Sequence, residues 1–361
     1  MSRQTVRRTP RVGLDLRRAT LWPQTGIARY GRNLFRAIRA AQPNDLDIHA
    51  VDVGDSTNWP HAITVGRGTP APRRALQEQV RMAAMTRRLD LLHLPWSEGP
   101  LRPLCPFVLT LFDLATIDGA ASYELGFRIY YNTLLRAHMR RASIVLVTSK
   151  ATLEAARERW PRQRYRLIPL AVDPWFRVVE GESRTAEPTI LYTGGFDARK
   201  RVRDLVEAVA RLRTRVPDIR LVLSGQAPPE LVELAERTLE RHVSFCGYLS
   251  DEELASWYRR AWIVAYPTDM EGFGFPILEA FASGTPVVAT RAGSVAEVAG
   301  DAALLVAPGD VDELTNAIER LLADSQLRDS LRAAGLRRAT GFSWDEVARK
   351  TMDVYREALA L

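Results

Sequence analysis

Short apolar runs alternate with amphipathic stretches along most of this chain. Residues 11–16 (RVGLDL), 46–51 (LDIHAV), 89–94 (LDLLHL), 107–112 (FVLTLF) and 143–148 (SIVLVT) are each four to six apolar-rich residues long and read as buried strands. Between them, residues 27–41 (IARYGRNLFRAIRAA) and 75–89 (ALQEQVRMAAMTRRL) carry a helical pattern. Over 173–188 (DPWFRVVEGESRTAEP) the periodicity stops and proline, glycine and charge take over, which places a domain junction there. The alternation restarts with 189–194 (TILYTG), 219–225 (IRLVLSG), 243–247 (VSFCG), 262–267 (WIVAYP), 285–290 (TPVVAT) and 302–307 (AALLVA). Ser250 and Glu253 form a capping box for the helix running through Tyr258, and Ser343 and Glu346 do the same for the last helix. Strand–helix alternation predicts an α/β protein with two doubly wound parallel sheets in series, over 1–177 and 178–361; the final helix (343–360) is expected to pack back on the first domain. Ligands of such sheets bind at the carboxyl ends of the strands, so two such edges are expected to face each other across a cleft.

A length of 361 residues fits two domains of ordinary size. Cys105 and Cys246 are too few for a disulfide framework and sit in apolar runs, which fits a reducing compartment. The five histidines lie far apart, none at metal-ligand spacing, so no metal site is expected. No apolar stretch approaches the ~18 residues of a membrane span, and the N-terminus lacks the apolar core of a secretory signal. These features predict a soluble, cytoplasmic protein whose Arg-rich first dozen residues are disordered.

Charge changes the picture further. Residues 1–177 carry 28 basic and 14 acidic side chains, a net of +14, whereas 178–361 carry 22 and 29, a net of −7. All but three of the 50 cations are arginine, as a GC-rich genome would give, but coding bias does not explain the asymmetry between halves. A basic first half implies an anionic partner: a phospholipid surface, a phosphorylated acceptor or nucleic acid. Arg29, Arg32, Arg36 and Arg39 recur at helical spacing on one face. No helix-turn-helix, zinc-finger or RNP-like motif appears, so specific nucleic-acid binding is not expected and peripheral docking on an anionic membrane is preferred.

The most informative stretch is 269–290, DMEGFGFPILEAFASGTPVVAT. Glu271 ends a loop after a strand, Gly272 and Gly274 bracket Phe273, Pro276 suits a first helical position, and Glu279 falls one turn into the helix. Glycines before a helix start permit close approach by a phosphate, which the helix dipole favours. Carboxylates on either side accept hydrogen bonds from hydroxyls such as those of a sugar or ribose. The same pattern also suits a purely structural turn.

Glu271 through Glu279 resembles the E-x7-E motif of retaining glycosyltransferases with the GT-B fold, especially glycosyltransferase family 4. Residues 25–34 (TGIARYGRNL), 164–173 (RYRLIPLAVD), 190–202 (ILYTGGFDARKRV) and 283–310 (SGTPVVATRAGSVAEVAGDAALLVAPGD) resemble further segments of that family, in order. The resemblance covers nearly the whole chain from about residue 11 and is strongest over 189–323. It implies a fold of two Rossmann-like domains, the first on the acceptor side and the second on the donor side. It also implies a hexosyltransferase that moves a sugar, with retention, from a nucleotide-diphosphate donor to a hydroxyl acceptor, without a metal or other cofactor. Glu279 would hold the ribose hydroxyls and Glu271 the donor sugar. Gly272, Phe273 and Gly274 would offer backbone N–H groups to the sugar and diphosphate. Lys200 and Arg199 would carry the diphosphate, although a lysine there also suits a solvated helix start. Gly194 and Gly195 stand in the loop before them, and Gly26 would approach the diphosphate from the first domain.

Two positions depart from the family. Gly195 stands where many members have arginine, which moves work onto Arg199 and Lys200. Where the family usually shows a His-Asp pair beside the donor sugar, this chain has Phe112-Asp113. Phenylalanine cannot donate a hydrogen bond to a sugar. Three readings are open: the enzyme works without the contact, for example on a deoxysugar; His93 supplies an imidazole; or the chain binds sugar nucleotide with little turnover. The first is preferred, and His93 reads more readily as a packing histidine at a strand end. A non-catalytic sugar-nucleotide-binding protein is the alternative function. An epimerase or phosphorylase of the same fold is a third, although Lys200 and Lys350 do not resemble a pyridoxal-phosphate site. Glycan, glycolipid (lipopolysaccharide or capsule) and secondary-metabolite acceptors all fit.

Overall fold

The computed structural model describes residues 8–53, 63–65, 79–117 and 125–361. Residues 1–7, and residues 75–78 of the second helical pattern, lie outside them. The expectation of a disordered first dozen residues is corrected over 8–12. Arg8 pairs with Asp90 at 2.8 Å, the Arg11 N–H donates to the same carboxylate at 2.7 Å, and the first strand starts at Arg11.

The described residues divide into two compact units, one of 8–53, 63–65, 79–117, 125–170 and 344–361, the other of 171–343. The first holds β1 (Arg11–Asp15), β2 (Asp47–Val53), β3 (Ile63–Val65), β4 (Leu91–Leu94), β5 (Phe107–Leu111), β6 (Ile144–Val147) and β7 (Tyr165–Leu167). They form a parallel sheet in the order β3-β2-β1-β4-β5-β6-β7. Every residue of β4, β5 and β6 is buried, as a parallel sheet covered on both faces requires. The second unit holds β8 (Thr189–Thr193), β9 (Arg220–Ser224), β10 (Val243–Gly247), β11 (Ile263–Tyr266), β12 (Val287–Thr290) and β13 (Ala303–Val306), all parallel, in the order β10-β9-β8-β11-β12-β13.

The last helix, Trp344–Leu359, packs within the first unit along the helix Gly26–Ala41. It buries Val347, Thr351, Met352 and Tyr355, and its Arg356 holds Asp45 through two bonds of 2.6 and 3.0 Å. Residues 171–177, read from composition as the end of the first domain, lie in the second unit instead. Val172 N–H donates to the Phe342 carbonyl at 3.3 Å, and the Phe176 ring meets Tyr258 edge-on at 5.5 Å. The packing of Phe176 and the backbone bond of Val172, not the run of charge that follows them, set where the chain crosses.

Candidate functional site

In the second unit the loops that leave β8, β9, β11 and β12 all emerge at the carboxyl edge of neighbouring strands. The loop after β8 begins with Gly194 (φ 141°), and the loop after β9 with Gly225 (φ 120°). A Cβ on Gly225 would sit 2.5 Å from the Gly194 carbonyl oxygen, so only glycine lets these two loops touch. The loops after β8 and β11 are laced together next. The Arg199 carbonyl accepts from Asp269 N–H at 2.7 Å, and Arg199 Nη1 donates to the Met270 carbonyl at 2.8 Å.

This lacing brings three sequence-predicted residues onto one point. Glu271 Oε1 accepts from Lys200 Nζ and, at 3.0 Å, from Arg199 Nη1. Lys200 is only 6% exposed; its ammonium also donates to the Tyr266 hydroxyl at 3.0 Å and lies 5.2 Å from the centre of that ring. Asp197 flanks Arg199 with an Oδ1–Nε distance of 3.0 Å. The main chain of Glu271 is fixed from the loop after β12, where Ser294 Oγ donates to its carbonyl at 2.8 Å. Gly293 (φ 51°) makes room there, since a Cβ would lie 3.1 Å from the same oxygen. Burial, with the negative Glu271 beside it, holds the Tyr266 hydroxyl well above its usual pKa range; it stays a neutral acceptor for Lys200. Burial does the same for Tyr192, whose hydroxyl donates to the Gly195 carbonyl.

The helix that follows runs Phe275–Ala282, entered through Gly274 at φ 103°. Pro276 occupies its second position, one later than its pattern predicts, where its missing N–H is equally harmless. Phe273 is buried edge-on between Phe275 at 5.9 Å and Phe342 at 6.0 Å, which anchors the segment Gly272–Gly274. Glu279 lies one turn in and is 3% exposed. Its Oε2 accepts from the Tyr258 hydroxyl at 2.7 Å, and that hydroxyl is 2.6 Å from Thr193 Oγ1 at the end of β8.

The remaining predicted residues belong to the first unit. Gly26 opens the helix Gly26–Ala41 behind the capping hydroxyl of Thr25, which accepts from Ala28 N–H at 3.3 Å. Asp113 Oδ1 accepts from Ala115 N–H at 3.0 Å and closes the turn after β5. Phe112 packs edge-on to Tyr30 at 5.1 Å, and its carbonyl accepts from Thr152 Oγ1 at 3.0 Å. His93 does not supply a substitute imidazole. It is fully buried, with Nδ1 at 2.7 Å from the Tyr355 hydroxyl and Nε2 at 2.7 Å from Thr110 Oγ1. Burial lowers its pKa to about 3, so it is a neutral packing residue. Sequence reasoning missed Tyr258, Tyr266, Asp197 and Ser294; of these Asp197 and Ser294 fall in segments singled out by resemblance without a role. Among the described residues no group of three His, Cys, Asp or Glu side chains is placed to hold a metal.

Residues 187–324 match the family described as glycosyl transferases group 1. The match encloses every second-unit residue of the cluster. The chain is 40% identical over 174 residues to the O-antigen chain mannosyltransferase B of Escherichia coli, covering 46% of this chain and 45% of that protein. It is 41% identical over 207 residues to the MMP alpha-(1->4)-mannosyltransferase of Mycolicibacterium hassiacum, covering 55% and 49%. The chain thus spans about half the length of the curated relatives it matches. In structure it is similar to sucrose-phosphate synthase from Thermosynechococcus elongatus, with a TM-score of 0.79 and 24% identity over 97% of this chain and 99% of that one. That likeness is one of fold. The two parallel α/β sheets are those of the GT-B architecture.

Proposed function

We propose that the protein is a retaining glycosyltransferase, of the family 4 type, that moves a hexose from a nucleotide-diphosphate donor to a hydroxyl acceptor. The observation that carries this reading is the convergence of Lys200 and Arg199 on Glu271, eight residues before Glu279, at one strand edge. Lys200 and Arg199 take the diphosphate and stabilise the charge that develops as it leaves. Two fixed cations do this work, so no metal enters the mechanism. Glu271 accepts from hydroxyls of the donor sugar, with the backbone of Gly272, Phe273 and Gly274 beside it. Glu279, held by Tyr258, accepts from the ribose. Gly194 and Gly195 let the loop after β8 approach the phosphates. A donor phosphate oxygen takes the acceptor proton, and Asp113 is the candidate catalytic residue of the first unit. The mannosyltransferase names of the relatives support a hexosyl donor; the acceptor is a glycan, glycolipid or secondary metabolite.

Calorimetric titration with GDP, UDP, dTDP and ADP tests the reading. One nucleotide should bind, and Lys200→Ala and Glu279→Ala should each weaken it at least about tenfold, the size of one charge-assisted hydrogen bond. Binding of none, or variants that change nothing, overturns it. Phe112 favours one second reading, a sugar-nucleotide-binding protein without turnover, which would bind the nucleotide yet show neither transfer nor donor hydrolysis.

The first unit supports peripheral docking on the inner face of an anionic membrane. Val80, Leu101, Leu104, Leu125 and Ile129 are exposed there. The helix Leu125–Arg141 carries Arg128, Arg136, Arg140 and Arg141 with no acidic residue, and Arg141 donates to the Leu101 carbonyl at 3.3 Å. Arginine beside exposed leucine matches a phosphate headgroup above an acyl layer. Among the described residues no helix is long and apolar enough to cross a membrane.

A further inference from the structure

Resting on the donor reading above, we propose that donor binding is an exchange of carboxylate for phosphate: Glu271 holds the anion position between Lys200 and Arg199, the diphosphate displaces it, and the displaced carboxylate then takes the sugar.

The geometry separates what must stay from what can move. Both cations are held by groups other than Glu271. Lys200 keeps the Tyr266 hydroxyl at 3.0 Å, and Arg199 keeps the Met270 carbonyl at 2.8 Å and Asp197 at 3.0 Å. The main chain of Glu271 is fixed by Ser294, but its side chain leaves a loop, not a helix, and is 13% exposed. Rotation of that one side chain vacates both donors and needs no loop displacement. The ion pair involves an ammonium that is 93% buried at its side chain, and such a cation costs several kcal/mol if left without an anion. An incoming anion must therefore replace Glu271 on Lys200 in the same event. A diphosphate carries more charge than a carboxylate and more acceptor oxygens, so it wins the two donors.

The exchange couples the two halves of donor recognition. A free sugar meets a carboxylate already committed to two cations and binds poorly. A nucleoside diphosphate without its sugar binds the cations but leaves Glu271 displaced and unrewarded, which weakens it. The complete donor satisfies all three groups. Glu271 is thus a specificity residue for phosphate and sugar together, a role distinct from simple hydroxyl recognition.

Glu271→Gln tests this with calorimetry on the full chain, using whichever of GDP, UDP, dTDP and ADP the wild type binds. The variant removes the competing charge, so it should bind that diphosphate about tenfold tighter than wild type. Its affinity for the corresponding nucleoside should be unchanged, and sugar transfer should be lost. Equal or weaker diphosphate binding by Glu271→Gln, beside a wild type that binds, overturns the exchange and leaves the donor reading standing. A wild type and a variant that both bind none of the four overturn the donor reading and the exchange with it. If the variant does not fold, a crystal structure of the wild type with its diphosphate decides. Lys200 Nζ on a phosphate oxygen with Glu271 out of hydrogen-bond reach supports the exchange; Glu271 still on both cations overturns it.

Discussion

Tyr258 donates its hydroxyl to Glu279 Oε2 at 2.7 Å, joining the helix before β11 to the helix after it. The same hydroxyl is 2.6 Å from Thr193, so one oxygen ties the end of β8 to a buried carboxylate. Tyr258→Phe should cost about 1–3 kcal/mol, because it leaves a buried acceptor short of a donor while keeping the ring. Urea denaturation measures this, and nucleotide affinity should fall in parallel, since Glu279 loses its fixed orientation. An unchanged midpoint would show that another group takes over.

The His93 environment predicts a pH dependence. The folded-state pKa is about 3 against 6.5 for the free side chain. Between those values the unfolded chain binds a proton that the folded chain refuses. This contribution is therefore intact above pH 6.5 and lost as pH falls toward 3, at up to about 1.4 kcal/mol per pH unit. His93→Met lacks it, so the stability difference between wild type and variant should shrink as pH is lowered from 7 to 4. Parallel curves would mean that His93 takes up its proton in the fold as it does in the unfolded chain.

Phe112→His restores the imidazole that the family pattern has. If the enzyme works without it, transfer should change less than about threefold, while stability drops about 1 kcal/mol from the poorer edge contact with Tyr30. A gain of 10²-fold or more, the order of an acid–base contribution, would support the binding-protein reading instead.

Vesicles test the basic face. The protein should float with liposomes containing phosphatidylglycerol and not with pure phosphatidylcholine, and the attachment should weaken at 1 M salt, where screening shortens to ~3 Å. Leu104→Asp with Ile129→Asp should abolish flotation without altering nucleotide binding. Retention by that double variant would exclude this surface.

Much of the fold was legible because buried parallel strands are continuous apolar runs: β4, β5, β6 and β8 have no exposed residue to interrupt them. β3 was not legible, since Ile63–Val65 is too short to stand out from its surroundings. β7 was reached through resemblance alone, because Arg166 is exposed in the middle of three residues. At the site, spacing gave Glu271 and Glu279, whereas Lys200 and Arg199 were reached through the resemblance. Tyr258 and Tyr266 escaped because a tyrosine in an apolar pattern looks like packing; only the third dimension shows its hydroxyl meeting a carboxylate or an ammonium. The junction was misplaced by a few residues for a related reason: composition marks where polarity rises, whereas Val172 and Phe176 record where the chain packs.

The return of the helix Trp344–Leu359 to the first unit has a consequence for synthesis. Residues 171–343 form one uninterrupted stretch and can fold as soon as they leave the ribosome, whereas the first unit, although begun earlier, is finished last. Until Tyr355 emerges, His93 waits in β4 with one nitrogen unanswered, and Asp45 waits for Arg356. The half of the molecule made first is thus joined by residues 344–361 only after the whole of the other half has been made.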